Sequence, residues 1–194
     1  MIVQGAKVVL REKRLSDAFQ DYRWRTDSEL ARLDASAPLG MSFPDYRAFY
    51  QEDMSLPDPT RQRFAIEDLE GKHIGNCTYY DIDVKQRECQ VGIMIGDKSY
   101  WNQGFGSDAM ITLVGYIFHT TSFDRVYLET LGWNERAQRS FQKVGFVPCE
   151  KVHRPPYTFL VMEVCRHSWQ PGAKAAMPEE TESVSRAMGR GAQA

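Results

Sequence analysis

Apolar and polar positions alternate between two periods along this chain, and the changes of period mark the elements. A short apolar run, Val8 to Leu10, predicts a strand, and the helical pattern after it in "RLSDAFQDYRWR" carries Asp17 in its first turn. "SFPDYRAFYQEDM" predicts a second helix, starting near Ser42 or Phe43 with Pro44 in the first turn. The stretch between them, roughly residues 26–43 with Pro38 and Gly40, reads as a loop. Three strand-like runs follow. "RFAIEDL" and "HIGNCTYYDID" flank the turn "EGK", and "ECQVGIMIG" comes after "VKQR", so the three form an antiparallel meander. From Phe105 the period lengthens: Phe105, Ala109, Leu113 and Tyr116/Ile117 recur at helical spacing as far as "HTTS". "RVYLETL" is a strand. Asn134 then reads as an N-cap, with Glu135 in the first turn, Ala137, Phe141 and Val144 on one face, and Gly145 as the C′ residue. "FVPCEKV" and "YTFLVMEVC" close the pattern as two strands joined by "HRPP".

The order β-α-α-β-β-β-α-β-α-β-β predicts an α/β fold with a mixed, mostly antiparallel sheet flanked by helices, unlike a hairpin protein or a doubly wound one. Residues 1–169 are expected to form one domain. From Pro171 the residues are small, polar and charged, which predicts a disordered tail over 170–194. A length of 194 residues with 42% hydrophobic positions suits a single core. The formal net charge of -2 argues against a nucleic-acid partner bound through a global basic field. No apolar run is long enough for a membrane span or signal peptide, so a cytoplasmic protein is expected. Cys77, Cys89, Cys149 and Cys165 form no C-x-x-C and read as buried, reduced thiols. His73, His119, His153 and His167 show no ligand spacing, so no metal is expected.

Chemistry enters with "SYWNQGFGSDAM". Gly104 and Gly106 open a helix, where the first backbone N–H groups lack intrahelical partners and the dipole is positive. Glycines admit a phosphate close to the backbone, and Ser107 adds a hydroxyl donor, so the stretch suits a pyrophosphate. Glycine that merely starts a helix is the plainer reading. A dinucleotide site is a third: Gly104-x-Gly106-x-x-Ala109 fits its fingerprint, with Glu129 roughly 20 residues on. Against it, "GDKSYWNQ" separates the strand from the glycines, and only one more helix follows Glu129. The Gly-Lys-Ser/Thr of a phosphate-binding P-loop is missing.

Taken in order, four stretches resemble the GNAT superfamily of acetyl-CoA-dependent N-acetyltransferases, and within it the RimJ/RimL-like branch. They are "YRWRTDSEL", with Trp24-x-x-Asp27-x-Glu29; "HIGNCTYYDID"; "VGIMIGDKSYWNQGFGSDA"; and "YLETLGWNERAQRSFQKVGF", with Asn134-x-x-Ala137 and Gly145-Phe146. Trp101 stands where many superfamily members carry Gln or Arg, a departure shared by that branch. The resemblance covers roughly residues 6–167 and implies acetyl-CoA as cosubstrate. Backbone groups of Ile93, Met94 and Ile95 would pair with its pantetheine arm. Backbone N–H groups from Asn102 through Gln103, Gly104, Phe105 and Gly106 to Ser107 would hold the pyrophosphate, beside Trp101. Asn134 would contact the pantetheine end, and Phe141 would pack near the thioester.

An attacking amine must be neutral, and a base and an oxyanion donor assist it. Glu129, five residues before Asn134, matches the position that carries the general base in one subgroup, acting through water. The plainer reading is a strand-end glutamate in a salt bridge. The oxyanion donor would be a backbone N–H near Met94 or Ile95. Many members protonate the leaving thiolate with a tyrosine where this chain has Phe141, leaving water, Ser140, Tyr100 or Tyr157 as alternatives. The acceptor would enter over residues 26–43 and 148–157, past Asp27, Glu29 and Asp34. A protein or peptide N-terminus is favoured, then a polyamine or aminoglycoside, with the protein a monomer or homodimer. Two other functions stay open: an acyl-CoA-binding module with weak turnover, and a dinucleotide-binding protein.

Overall fold

The computed structural model describes residues 2–56 and 58–170; most of the predicted tail lies outside the described residues. Its strands are β1 (Ile2–Gln4), β2 (Val8–Glu12), β3 (Gln62–Asp68), β4 (His73–Asp83), β5 (Glu88–Ile95), β6 (Arg125–Leu131), β7 (Val147–Arg154) and β8 (Tyr157–Cys165). Its helices are α1 (Ala18–Thr26), α2 (Ser28–Leu33), α3 (Phe43–Ser55), α4 (Phe105–Thr120) and α5 (Glu135–Val144). The strands form one sheet in the order β1-β2-β3-β4-β5-β6-β8-β7. Every neighbouring pair is antiparallel except β5 and β6, which the α4 crossover makes parallel.

Helices cover both faces. α4 is apolar over most of its circumference and buries Met110, Leu113, Val114 and Ile117 against Leu10, Phe64, Cys77 and Val126. α5 adds Phe141 and Val144 to the same core, with Phe146 just beyond its end. α1 and α3 pack on the other face, where Asn76 of β4 donates to Asp21 of α1 at 2.7 Å and the Trp24 ring meets His73 edge-on at 4.8 Å. Local chemistry sets the helix ends. The Ser42 hydroxyl accepts the Asp45 N–H, with Pro44 in the first turn of α3. Asn134 accepts the Ala137 N–H at 3.3 Å to start α5, and Gly145, at φ 110°, ends it.

Two elements depart from the expected order. The segment 26–43 contains α2, because Asp27 caps it by accepting the N–H groups of Glu29 at 2.9 Å and Leu30 at 3.0 Å. Six residues are too few to display a helical period. β1 pairs with β2 over only Ile2–Gln4, too short to alternate visibly. The cysteines also divide: Cys77 and Cys89 are buried as expected, but Cys149 is exposed and Cys165 half-buried, because β7 is an edge strand and Cys165 ends β8.

The α1–α3 face holds a dense cluster of charge. Arg11 grips Asp17 with two bonds of 2.8 Å and reaches Glu67 at 2.5 Å. Lys13 meets Asp21 at 2.7 Å, and His73 lies within 3.8 Å of both aspartates. Arg11 and Asp17 are each 4% exposed. Burial opposes ionisation of Asp17, but Arg11, the Arg14 N–H and Lys13 outweigh it and hold its pKa below the usual value.

Candidate active site

The parallel register of β5 and β6 runs from Glu88/Arg125 to Gln90/Tyr127 and stops. Beyond it β5 continues along β4 to Ile95, and β6 continues along β8 to Leu131. The sheet therefore splits in its middle. The Met94 carbonyl lies against Gly75 of β4, where a Cβ would sit 2.2 Å from it. Strand backbone groups alternate sides, so those of Ile93 and Ile95 face the split. The Ile95 carbonyl takes the Trp101 indole N–H at 2.7 Å. A cleft of about 350 Å³ fills the opening, lined by Ile93–Ile95, the loop after β5, the start of α4, one side of α5 and the end of α2.

The loop after β5 is built for an abrupt entry into α4. Asp97 accepts the Ser99 N–H at 3.0 Å, Asn102 has φ 60° and Gly104 φ 86°, and the helix starts at Phe105. Left-handed backbone at Gly104 suits a residue without Cβ. Trp101, Asn102, Gly104, Gly106 and Ser107 line the cleft. Gln103 and Phe105 do not: the Gln103 side chain donates to the Ser99 carbonyl, and Phe105 packs edge-on against Tyr100 at 4.9 Å. Behind the loop, the Asp108 carboxylate accepts the N–H groups of Ala6, Lys7 and Val8, so α4 is tied to the start of β2. A Cβ at Gly106 would lie in ordinary contact with Ile95 Cγ1 at 3.6 Å and Ser140 Oγ at 4.0 Å, so that position sits between β5 and α5.

On the opposite wall, Asn134, Ala137 and Phe141 line the cleft from α5. Asn134 spends its carbonyl on the helix cap. The Ser140 and Ser107 hydroxyls are 2.9 Å apart and join the two helices. Sequence reasoning missed a group of cations here. Arg136, Arg139 and Lys143 all line the cleft, and the Arg136 guanidinium stacks over the Trp101 ring at 3.8 Å. Their spacing of three and four residues on a helix was the available signal.

The acceptor-side residues scatter more widely. Glu129 shares a strand face with Tyr127, opposite the buried Val126 and Leu128, and does not line the cleft. Arg154 of β7 grips both its oxygens, one at 2.7 Å. Tyr80 stands among Asp81, Glu129 and Asp34, and burial together with those carboxylates pushes its hydroxyl up to about 12. Asp27 and Glu29 both bind Lys98, at 2.9 and 2.7 Å. The Trp24-x-x-Asp27-x-Glu29 motif thus fastens α1 and α2 to the loop after β5. Trp24 completes the fastening by lying flush on Gly96, where a Cβ would fall 2.1 Å from its ring. Asp34 alone of the acidic loop lines the cleft. Of the tyrosines considered as proton donors, Tyr100 gives its hydroxyl hydrogen to Asp68 at 2.6 Å, and Tyr157 packs beside Phe159 outside the cleft.

A strand edge left open beside an unsatisfied helix N-terminus defines a class of site, one that takes an extended ligand with an anionic end. The sequence profile described as the Acetyltransferase (GNAT) domain matches residues 7–147, and the chain belongs to that family. It is an acetyl-transferring enzyme. It is 24% identical over 148 residues to the uncharacterised N-acetyltransferase p20 of Bacillus licheniformis, covering 73% of this chain and 82% of that protein. Among solved structures, it is similar to the Vibrio cholerae spermidine N-acetyltransferase in complex with CoA and spermine. That match has TM-score 0.73 and 18% identity, covering 82% of this chain and 96% of that one. It is also similar to the aminoglycoside acetyltransferase AAC(6')-Ib with coenzyme A, at TM-score 0.69 and 19% identity, covering 82% and 95%. Among the described residues no group of His, Cys, Asp and Glu could hold a metal, and no helix is long and apolar enough to cross a membrane.

Proposed function

We propose that the protein transfers an acetyl group from acetyl-CoA to a primary amine by direct attack in a ternary complex. The observation that carries this reading is the open edge of β5 next to the start of α4. Backbone groups of Ile93 and Ile95 face the gap and suit the amides of a pantetheine arm laid along them, as an added strand would be. Backbone N–H groups of the turn from Asn102 to Ser107 suit the pyrophosphate, with the helix dipole behind them and no side chain at Gly104 or Gly106 to hold a ligand off the backbone. Arg136, Arg139 and Lys143 supply positive charge on the same side for the remaining phosphate. Phe141 and Asn134 line the cleft; on this reading Asn134 contacts the pantetheine end and Phe141 packs near the thioester.

When bound, acetyl-CoA supplies a thioester carbonyl whose oxygen gains charge as the amine attacks. Of the two donors considered, the Ile95 N–H is the better placed, since Met94 turns its backbone toward β4. Glu129 is the base this reading starts from, acting through water on the acceptor side, with Arg154 holding its carboxylate in place. The favoured acceptor is a protein or peptide N-terminus, ahead of polyamines and aminoglycosides. Trp101 and the fastened Trp24-x-x-Asp27-x-Glu29 motif support a RimJ/RimL-like member, and a cytoplasmic location accords with acetyl-CoA as donor.

A thiol-release assay tests the reading: acetyl-CoA with a panel of free-N-terminus peptides, spermine and an aminoglycoside. Turnover with at least one amine, lost when the acetyl donor is replaced by CoA, is expected. Stabilisation by acetyl-CoA without acetylation of any amine would sink it.

A further inference from the structure

The turn that enters α4 presents its backbone to the cleft, and one of its peptides is free to face either way. Gly104, at φ 86° and ψ -2°, is the last residue before the helix, and Asn102 also stands in the left-handed region, at φ 60°. A residue without Cβ tolerates φ of either sign, so the peptide joining Gln103 to Gly104 can rotate at small cost. Its orientation decides what a ligand meets. A trans peptide points its C=O and N–H in opposite directions, and among the described residues the cis form occurs only at Pro155–Pro156. Either the Gly104 N–H faces the cleft and the Gln103 carbonyl faces away, or the carbonyl oxygen is turned toward any anion held there.

Lys7, just ahead of β2, fixes the choice. Its ammonium donates to the Gln103 carbonyl at 2.8 Å. Gly104 lines the cleft, whereas Lys7 and Gln103 do not, so the bond holds that carbonyl on the outer side of the turn. The Gly104 N–H is left pointing inward, and it meets no acceptor among the described residues. Lys7 is itself anchored to the helix it steadies. Asp108, in the first turn of α4, accepts the Lys7 N–H at 2.7 Å, together with those of Ala6 and Val8. The Lys7 ammonium also lies 5.5 Å from the centre of the Phe105 ring. Backbone and side chain of one residue thus clasp the turn from behind.

From this arrangement we propose that Lys7 is a positioning residue for the acetyl donor: by holding the Gln103 carbonyl outward it keeps the Gly104 N–H aimed at the pyrophosphate. The inference rests on the acetyl-transfer reading above. Lys7 stands outside the cleft and acts through Gly104, so its effect falls on donor binding and not on the chemical step. Losing the bond removes a charge-assisted hydrogen bond and lets the peptide turn its oxygen toward the phosphates.

The test compares wild type with Lys7→Met, which keeps an unbranched stem but cannot donate, and Lys7→Arg, which can. Two donors are used: acetyl-CoA, and S-acetylpantetheine, which ends before the pyrophosphate. The acceptor is whichever of spermine, an aminoglycoside or a free-N-terminus peptide the wild type acetylates fastest. Lys7→Met is expected to weaken acetyl-CoA binding by calorimetry, and to raise its KM, about tenfold, with kcat within about twofold. Its kcat/KM with S-acetylpantetheine and its melting temperature should match wild type, and Lys7→Arg should recover affinity for acetyl-CoA to within about threefold. Lys7→Met binding acetyl-CoA within about twofold of wild type overturns the assignment. So does an equal loss with both donors, which would make Lys7 a general support of the fold. Wild-type protein that binds acetyl-CoA yet acetylates none of the amines defeats the acetyl-transfer reading, while the calorimetric comparison still decides the role of Lys7.

Discussion

Two regions of this molecule gather carboxylates near the sheet, and they treat them oppositely. Under α1 and α3, Asp17 and Asp21 are buried and saturated: Arg11 and Lys13 neutralise them, and Asn76 donates a further hydrogen bond to Asp21. In the cleft, Asp34 is exposed, and its carboxylate makes no hydrogen bond or ion pair among the described residues. The first arrangement joins β2, α1 and β4 and is architecture. The second is a solvated carboxylate on the wall of a cleft. Charge alone therefore does not say what a carboxylate does; its burial and its partners do.

Substitutions in the two regions test the contrast. Asp17→Asn leaves buried Arg11 with Glu67 as its one remaining counter-ion among the described residues and is expected to cost about 3 kcal/mol, read by urea denaturation at neutral pH. The folded-state pKa of Asp17 lies below its ordinary 3.8, so its contribution is full above that value and is lost as pH falls through the depressed one. The gap between wild type and variant should therefore close in acid; a gap that persists there means that charge pairing is not its source. Next in size, Gly104→Ala puts a Cβ on a left-handed backbone, at φ 86°, at a cost of about 1–2 kcal/mol in unfolding free energy. The same variant should weaken acetyl-CoA binding by calorimetry, because the turn before α4 is reshaped. Arg136→Ala, which removes the guanidinium over Trp101, should raise KM for acetyl-CoA roughly tenfold with kcat within about twofold. An unchanged KM would remove Arg136 from the donor side.

Most elements were legible because they are long and carry a clean period: the β3–β4–β5 meander, α4 and α5 each lie where apolar spacing places them. α2 was hidden because its six residues rest on an Asp27 cap and on packing rather than on a repeat. The cleft was legible in part. The turn around Gly104 and the N-cap at Asn134 announce themselves in local chemistry. The roles of Gln103 and Phe105 do not, since whether their side chains face a ligand or the protein depends on neighbours such as Ser99 and Tyr100. Glu129 shows the same limit: its spacing from Asn134 is readable, but its grip by Arg154 arises only when β7 folds back along β8 beside β6.

By itself, the sequence determined most of the segments that become strands and helices, α2 and β1 excepted, and where α4 and α5 begin, because periodicity, caps and glycine conformations act over a few residues. Only the tertiary structure decided that the register of β5 and β6 ends at Gln90 and Tyr127, that Arg136, Arg139 and Lys143 collect on one wall, and that Asp34, alone of three acids in its loop, reaches the cleft. Those outcomes depend on which distant groups meet: Lys98 reaches Asp27 and Glu29 but not Asp34, and the spacing of charges along the chain holds no record of that choice.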